Sequence, residues 1–318
     1  MATEFFEPTT TDGGPVSRRR SIVDRQATAQ RFLFEAAEDS YDGELDIDWD
    51  APPAPDTPWL PPEMVTLHAT DLWKAMSAAE RADLDRRELV DLLTLSVYAE
   101  TVLSMLTFRD VAERSGLADD RARWMLKCVD THARNITMFG RLIDVAGVPP
   151  YTRKKFAKRL ERYTLLIPNG ATTATVKLML EAALAGLITM AHDGDVQPHV
   201  EQITAIHLMS SRRHLRFAQE ELAALVAGRG ATRRAAASIA GAGVVATVAR
   251  LMANPDVYRD VGLPVPRAVR QARRSPAHRR RMDAAFTDAV RFASEAGLFH
   301  DPVSRSMLRR AGIRRPRS

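Results

Sequence analysis

Two glutamates stand where a helical pattern calls for core residues. Glu100 interrupts the apolar run LLTLSVYAETVLSML, and Glu181 interrupts VKLMLEAALAGLITM. An ionised carboxylate in such surroundings is costly unless a cation or strong hydrogen bonds compensate it. Candidate partners recur at helical spacing elsewhere. His207, Ser211 and His214 lie at i, i+4 and i+7 and share a face with Val200, Ile203, Ala218 and Leu225. Cys128, His132, Asn135 and Phe139 form another inward stripe. A single histidine on an apolar face is more often a hydrogen-bonded core residue than a ligand. Two carboxylates and three histidines on four inward stripes point instead to a metal centre, with Glu100, His132, Glu181, His207 and His214 as candidate ligands.

The elements that must position these groups are helices. Apolar periodicity predicts long helices near 78–113, 119–146, 151–164, 172–192 and 198–227, then 231–253 and 276–296. Ser77 three residues before Glu80 resembles a capping box. Breaks fall at Gly116, Gly147, Pro168-Asn-Gly, His192-Asp-Gly and Gly228-Arg-Gly. No run of short alternating segments demands a sheet, and no repeat has a fixed period. The fold class expected is all-α, a helical bundle with additional C-terminal helices. Residues 1–62, rich in Pro, Asp and Thr and ending in WDAPPAPDTPWLPP, read as an extended, partly disordered arm. Trp49, Trp59 and Leu60 are its docking points. Residues 63–300 form the helical domain and 301–318 a basic tail.

Composition excludes several classes. The chain has 318 residues, 45% apolar and 27% charged, as a soluble globular protein would. One cysteine, Cys128, permits neither an intramolecular disulfide nor a thiolate cage, which fits a reducing cytoplasm. The start MATEFFEPTTTDGG carries acids where a secretory signal needs positive charge and an apolar run. Ala235 to Leu251 comes nearest to a membrane span, but it is Ala/Gly-rich, short and bracketed by arginines, so no membrane association is expected. The net charge of +5 gathers in Arg18–Arg20, Arg279–Arg281 and LRRAGIRRPRS without interleaved aromatics, so specific nucleic-acid binding is not expected. Gly241-Ala-Gly243-Val-Val-Ala246 matches GxGxxA, but it lies in a helical stretch rather than between strand and helix. Small residues there permit close helix packing.

Together, Glu100, Glu181, His207 and His214, the arm WDAPPAPDTPWLPP, and the segments DLWKAMSAAERADLDRRELVDL, NPDVYRDVGLP and FASEAGLF resemble the p-aminobenzoate N-oxygenases and related arylamine oxygenases (the AurF-like family), over roughly residues 45–300. The resemblance implies a ferritin-like fold, a homodimer, and a non-haem di-iron centre that activates oxygen with electrons from an external donor. Its ligand pattern is a Glu, then E-x-x-H, then a Glu, then H-x-x-x-E-x-x-H on four helices. Here His132 stands for the first glutamate of E-x-x-H and Asn135 for its histidine. Ser211 stands for the glutamate of the last motif. The two lost glutamates are the family's bridging carboxylates.

The resemblance therefore implies one iron more readily than two. Glu181, His207 and His214 would keep a 2-His-1-carboxylate set of the kind mononuclear Fe(II) oxygenases use, with His132 as a further nitrogen and Glu100 left alone. Three readings follow. The first, adopted here, is a one-metal oxygenase or oxidase acting on a small organic substrate of the arylamine kind. The second is a metal-free pseudoenzyme serving as a ligand-binding or partner subunit. The third is a di-iron oxygenase with rearranged ligands, Asp130 or Asp144 moving in. Asp130 lies two residues from His132 and so points away on an ideal helix.

Overall fold

The computed structural model describes residues 17–38, 43–113, 119–152 and 166–313. Among these residues there is no strand. The helices are α1 (Ser17–Glu38), α2 (Asp71–Ala75), α3 (Ala78–Glu113), α4 (Asp120–Ala146), α5 (Ala171–His192), α6 (Pro198–Val226), α7 (Ala231–Leu251), α8 (Pro255–Asp260), α9 (Val265–Arg274), α10 (Pro276–Glu295) and α11 (Pro302–Arg310). The helix expected over 151–164 lies almost entirely outside the described residues.

α3, α4, α5 and α6 form the central bundle, with α3 packed on α4 and α5 on α6. Local chemistry sets their ends. Ser77 and Glu80 close a capping box on α3, with Ser77 N–H donating to Glu80 at 2.7 Å and Glu80 N–H to Ser77 Oγ at 3.2 Å. The Asp119 carboxylate accepts from Ala122 N–H at 2.7 Å to start α4. Gly147 at φ 64° ends it in the left-handed region. Pairings along the axis fix direction. Arg121 meets Asp110 while His132 meets Glu100, so α3 and α4 are antiparallel. Arg109 reaches Thr173, whereas Glu181 sits beside His132, so α5 is antiparallel to α3 as well. α4 and α5 thus run the same way, the arrangement of a ferritin-like bundle with one long crossover.

Two apolar clusters flank the bundle centre. One gathers Leu84, Leu89 and Leu93 of α3, Phe139, Ile203 and the arm's Trp59 and Leu60. The other joins α5 to α7, α10 and α11 through Leu178, Val245, Phe286 and Phe299. Gly241 of the GxGxxA segment lies in α7, where an added Cβ would strike Thr175 and Phe299. The glycine serves helix packing.

The N-terminal expectation needs correction. Residues 17–38 are a helix, not an extended arm, and α1 lies on α4 and α6. Ala29 and Phe32 are fully buried, and Phe32 packs on Trp124 with ring centroids 5.2 Å apart. Residues 43–70 are largely irregular as expected, and they are pinned by carboxylates of α3. Asp85 accepts from Trp59 and Leu60 N–H at 2.7 and 2.9 Å. Glu88 accepts from Thr66 N–H and pairs with buried Arg281 at 2.8 Å. The expected basic tail also starts differently: α11 belongs to the fold, and Leu308 and Ile313 are buried. Ala235–Leu251 is not alone in its span-like character. Segments Ala78–Glu113, Ala171–His192 and Ala231–Asp260 are each long and apolar enough to cross a membrane. Two of them are α3 and α5, whose apolar windows are 61% and 67% buried inside the bundle, because a central bundle helix needs the same apolar length as a span.

Candidate metal centre

All five expected residues reach the bundle interior. Relative exposures are 1% for Glu100 and His132, 6% for Glu181, 2% for His207 and 5% for His214. They do not form one cluster. Glu100 is enclosed by donors: His132 Nδ1 lies 2.5 Å from its Oε2, while Asn135 Nδ2 and His207 Nε2 lie 2.9 and 3.0 Å from its Oε1. An ionised carboxylate only accepts, so both imidazoles present N–H to it. His207 then accepts the Ser211 hydroxyl at its Nδ1, 2.7 Å away, and both its ring nitrogens are engaged. Phe139 stacks on its other side.

The second group is His132, Glu181 and His214. One nitrogen or oxygen from each lies within 4.8 Å of the others. His132 Nε2 and His214 Nδ1 approach Glu181 Oε1 at 3.6 and 3.8 Å, beyond hydrogen-bond length. Trp124 packs edge-on against the His214 ring at 5.9 Å. This trio differs from the expected Glu181, His207 and His214, because Glu100 and Ser211 turn His207 away while His132 bridges the two groups through its two nitrogens.

Electrostatics follow from this arrangement. Burial alone would raise the Glu100 pKa, but the charge and hydrogen bond of His132, then the hydrogen bond from His207, hold it well below the usual carboxylate range. Burial pulls His132 down, yet Glu100 and then Glu181 carry it above the ordinary imidazole value. Glu181 is pushed up to about 7 by burial, with His132 opposing the rise. His214 is driven well below its ordinary value by burial and by the charge on His132.

A cavity of about 30 Å³ reaches the trio, and Thr107, Cys128 and Lys177 are among its lining residues. That volume holds water or an ion rather than an aromatic ring. The buried Cys128 thiol is kept protonated by burial and by the charge of Glu181. At the far end Arg121 binds Asp110 and Glu221 at 3.0 and 2.6 Å.

Asp130 and Asp144, the carboxylates a rearranged two-metal site would recruit, do not face the centre. Asp130 pairs on the surface with Lys127 and Arg134, and Asp144 is exposed.

A family model described as P-aminobenzoate N-oxygenase AurF matches residues 23–297. The chain belongs to the AurF family. A search of curated proteins returns no match. The family match takes in α1 from residue 23, in keeping with its packing on the bundle. It also gives the site its background: an AurF-family centre is a di-iron centre. The donors present here depart from the ligand pattern that the resemblance implies for such a centre. Glu100 spends both oxygens on His132, Asn135 and His207, and no carboxylate stands at the place of Ser211 or His132 to bridge. His132, Glu181 and His214 are borderline and hard donors within reach of a common point and could hold a metal ion.

Proposed function

We propose that the protein is a one-metal member of its family, an N-oxygenase-like protein acting on a small organic substrate with electrons from an external donor. His132 Nε2, a Glu181 oxygen and His214 Nδ1 would hold the ion. The observation that carries this reading is Glu181, a buried carboxylate flanked by two imidazole nitrogens that both stop short of hydrogen-bonding it. A buried carboxylate left at that spacing is costly, and a cation between the three groups removes the cost.

Iron bound there would supply the one-electron chemistry that dioxygen requires. The chain's own residues set the conditions. Glu100 fixes the His132 tautomer by accepting Nδ1–H, which leaves Nε2 directed at Glu181, the carboxylate–histidine pairing that metal sites use to orient a ligand. His207 and Asn135 hold Glu100 in turn. Trp124 and Phe217 wall the trio on the His214 side and limit water. The arylamine as substrate class rests on the family match. The cavity must widen to admit an aromatic ring.

Anaerobic Fe(II) titration with metal analysis tests the proposal. Wild type should bind one equivalent and His214→Ala none, and the loaded protein should consume dioxygen when given an arylamine and a reductant. Zero equivalents in wild type would favour the metal-free reading, and two equivalents the rearranged di-iron one.

A further inference from the structure

The chain's positive charge is gathered at one end. Residues 265–318 hold 14 arginines, no lysine and four acids, and the rest of the chain is net acidic. Arg281 is committed to buried Glu88, and Arg291 pairs with Asp288. The other described arginines of this stretch are exposed and make no ion pair among the described residues. Three of them border a groove of about 1140 Å³. α10 packs on α5 and α11 on α7, and the groove is the gap left between α10 and α11. α10 turns a stripe from Arg279 to Ser294 into it, and α11 a stripe from Arg305 to Gly312. That stretch of α10 makes a trough about 22 Å long at about 1.5 Å rise per residue. Phe299, Leu308 and Ile313, each nearly buried, close its base. Arg279, Arg305 and Arg309 stand on its rim, with Asp283 as the one acid among the described lining residues.

We propose that the α10–α11 groove is a docking site for a partner protein, which lays into it an acidic amphipathic helix. Carboxylates of that helix meet Arg279, Arg305 and Arg309, and its apolar stripe rests on Phe299, Leu308 and Ile313. An apolar floor between helices is the shape that receives an amphipathic helix. The arginine rim selects an acidic one, because each planar guanidinium can donate two parallel hydrogen bonds to a carboxylate. A nucleic-acid strand would need exposed aromatic faces for its bases, and the aromatic residue here, Phe299, is buried. A bilayer engages apolar side chains that project, whereas these lie at the base of a concave surface. The chain's own continuation, RRPRS, has the groove's charge and does not complement it.

The probe is a fluorescent glutamate–leucine peptide of about 16 residues with its leucines on one helix face, titrated into the full chain at about 0.15 M salt. It should bind saturably in the micromolar range, roughly tenfold tighter than a peptide of the same composition with the leucines scattered around the helix. Arg305→Glu with Arg309→Glu should weaken it by roughly thirtyfold or more, and Arg305→Lys with Arg309→Lys by less than about fivefold. Both side chains are exposed, so the melting temperature should hold. Arg267→Glu with Arg270→Glu, on α9 and outside the groove, should leave affinity within about twofold. Equal affinity for the two peptides, an equal loss from the α9 pair, or no binding by wild type overturns the groove as a helix dock. A single-stranded oligonucleotide or a phosphatidylserine vesicle that binds tighter than the peptide, and is lost with Arg305→Glu and Arg309→Glu, assigns the face to that class and overturns the proposal. Light scattering in which the same charge reversal turns a dimer into a monomer gives the groove to a second copy and overturns it too.

Discussion

Replacing Glu100 with glutamine isolates what this carboxylate does. Glu100 accepts from His132, Asn135 and His207 at 2.5, 2.9 and 3.0 Å. In Glu100→Gln the amide oxygen can still serve Asn135 and His207, but the NH₂ then faces His132 Nδ1. The imidazole must accept there, and its proton moves to Nε2, the atom aimed at Glu181. Flipping the amide only sets its NH₂ against two other donors. Metal affinity should fall about 10- to 100-fold, as loss of a ligand-orienting partner does, which is roughly 1.4–2.7 kcal/mol. In chelator the variant should also lose about 1.5–3 kcal/mol of stability, the scale of a charge-assisted hydrogen bond. Co(II) titration calorimetry and chemical denaturation measure the two effects, and NMR of the imidazole should show His132 losing its proton at lower pH than in wild type. Wild-type Co(II) affinity in Glu100→Gln would refute the orienting role. Total loss of binding with unchanged stability would make Glu100 a ligand in its own right.

Other outcomes follow from the same geometry. Metal affinity should rise as pH climbs through about 7, because Glu181, pushed up to about 7, and His132, raised above the ordinary imidazole value, must shed protons to bind. Without metal the sign reverses for stability. The Glu181 pKa is raised above its ordinary 4.5, so the folded state holds the proton more tightly and wild type loses stability as pH climbs from about 4.5 to about 7. Glu181→Gln in chelator should therefore be stabilising at pH 8, by on the order of 1–3 kcal/mol, and near neutral at pH 4, as denaturation at the two pH values will show. Restoring the family pattern with His132→Glu, Asn135→His and Ser211→Glu should convert one Co(II) equivalent to two; a variant that unfolds and is not rescued by metal would contradict the descent from a two-metal site. Light scattering should find a homodimer, twice the 35.3 kDa chain mass, and a monomer at micromolar concentration would overturn that expectation.

The four bundle helices were legible because each combines a long apolar stripe with definite ends. The expected 78–113, 119–146, 172–192 and 198–227 fall within a residue of the observed spans. α1 was not, because its apolar residues follow a run of arginines, and Phe32 finds its packing partner Trp124 on α4, far away in the sequence. The acids of α3 show a subtler gap. In RADLDRRELVDLL, Asp85, Glu88 and Asp91 look like a solvated face, yet all three are buried, and they serve the arm's backbone, Arg281 and Asn254. Glu100 and Glu181 stood out only because their neighbours are apolar. Helical spacing likewise places His132, His207 and His214 on inward faces but does not say which nitrogen meets which carboxylate. That was set by Ser211 and Asn135, whose small polar side chains let Glu100 gather His207 and His132 around itself.

The central claim is that one metal sits among His132, Glu181 and His214 while Glu100 serves only to orient. Anomalous diffraction from a crystal of the full chain loaded with Fe(II) or Co(II) tests it most directly. One peak is expected, bounded by His132 Nε2, a Glu181 oxygen and His214 Nδ1, with the Glu100–His207 hydrogen bond intact. Two peaks, a peak ligated by Glu100 or His207, or no peak at saturating metal would contradict it.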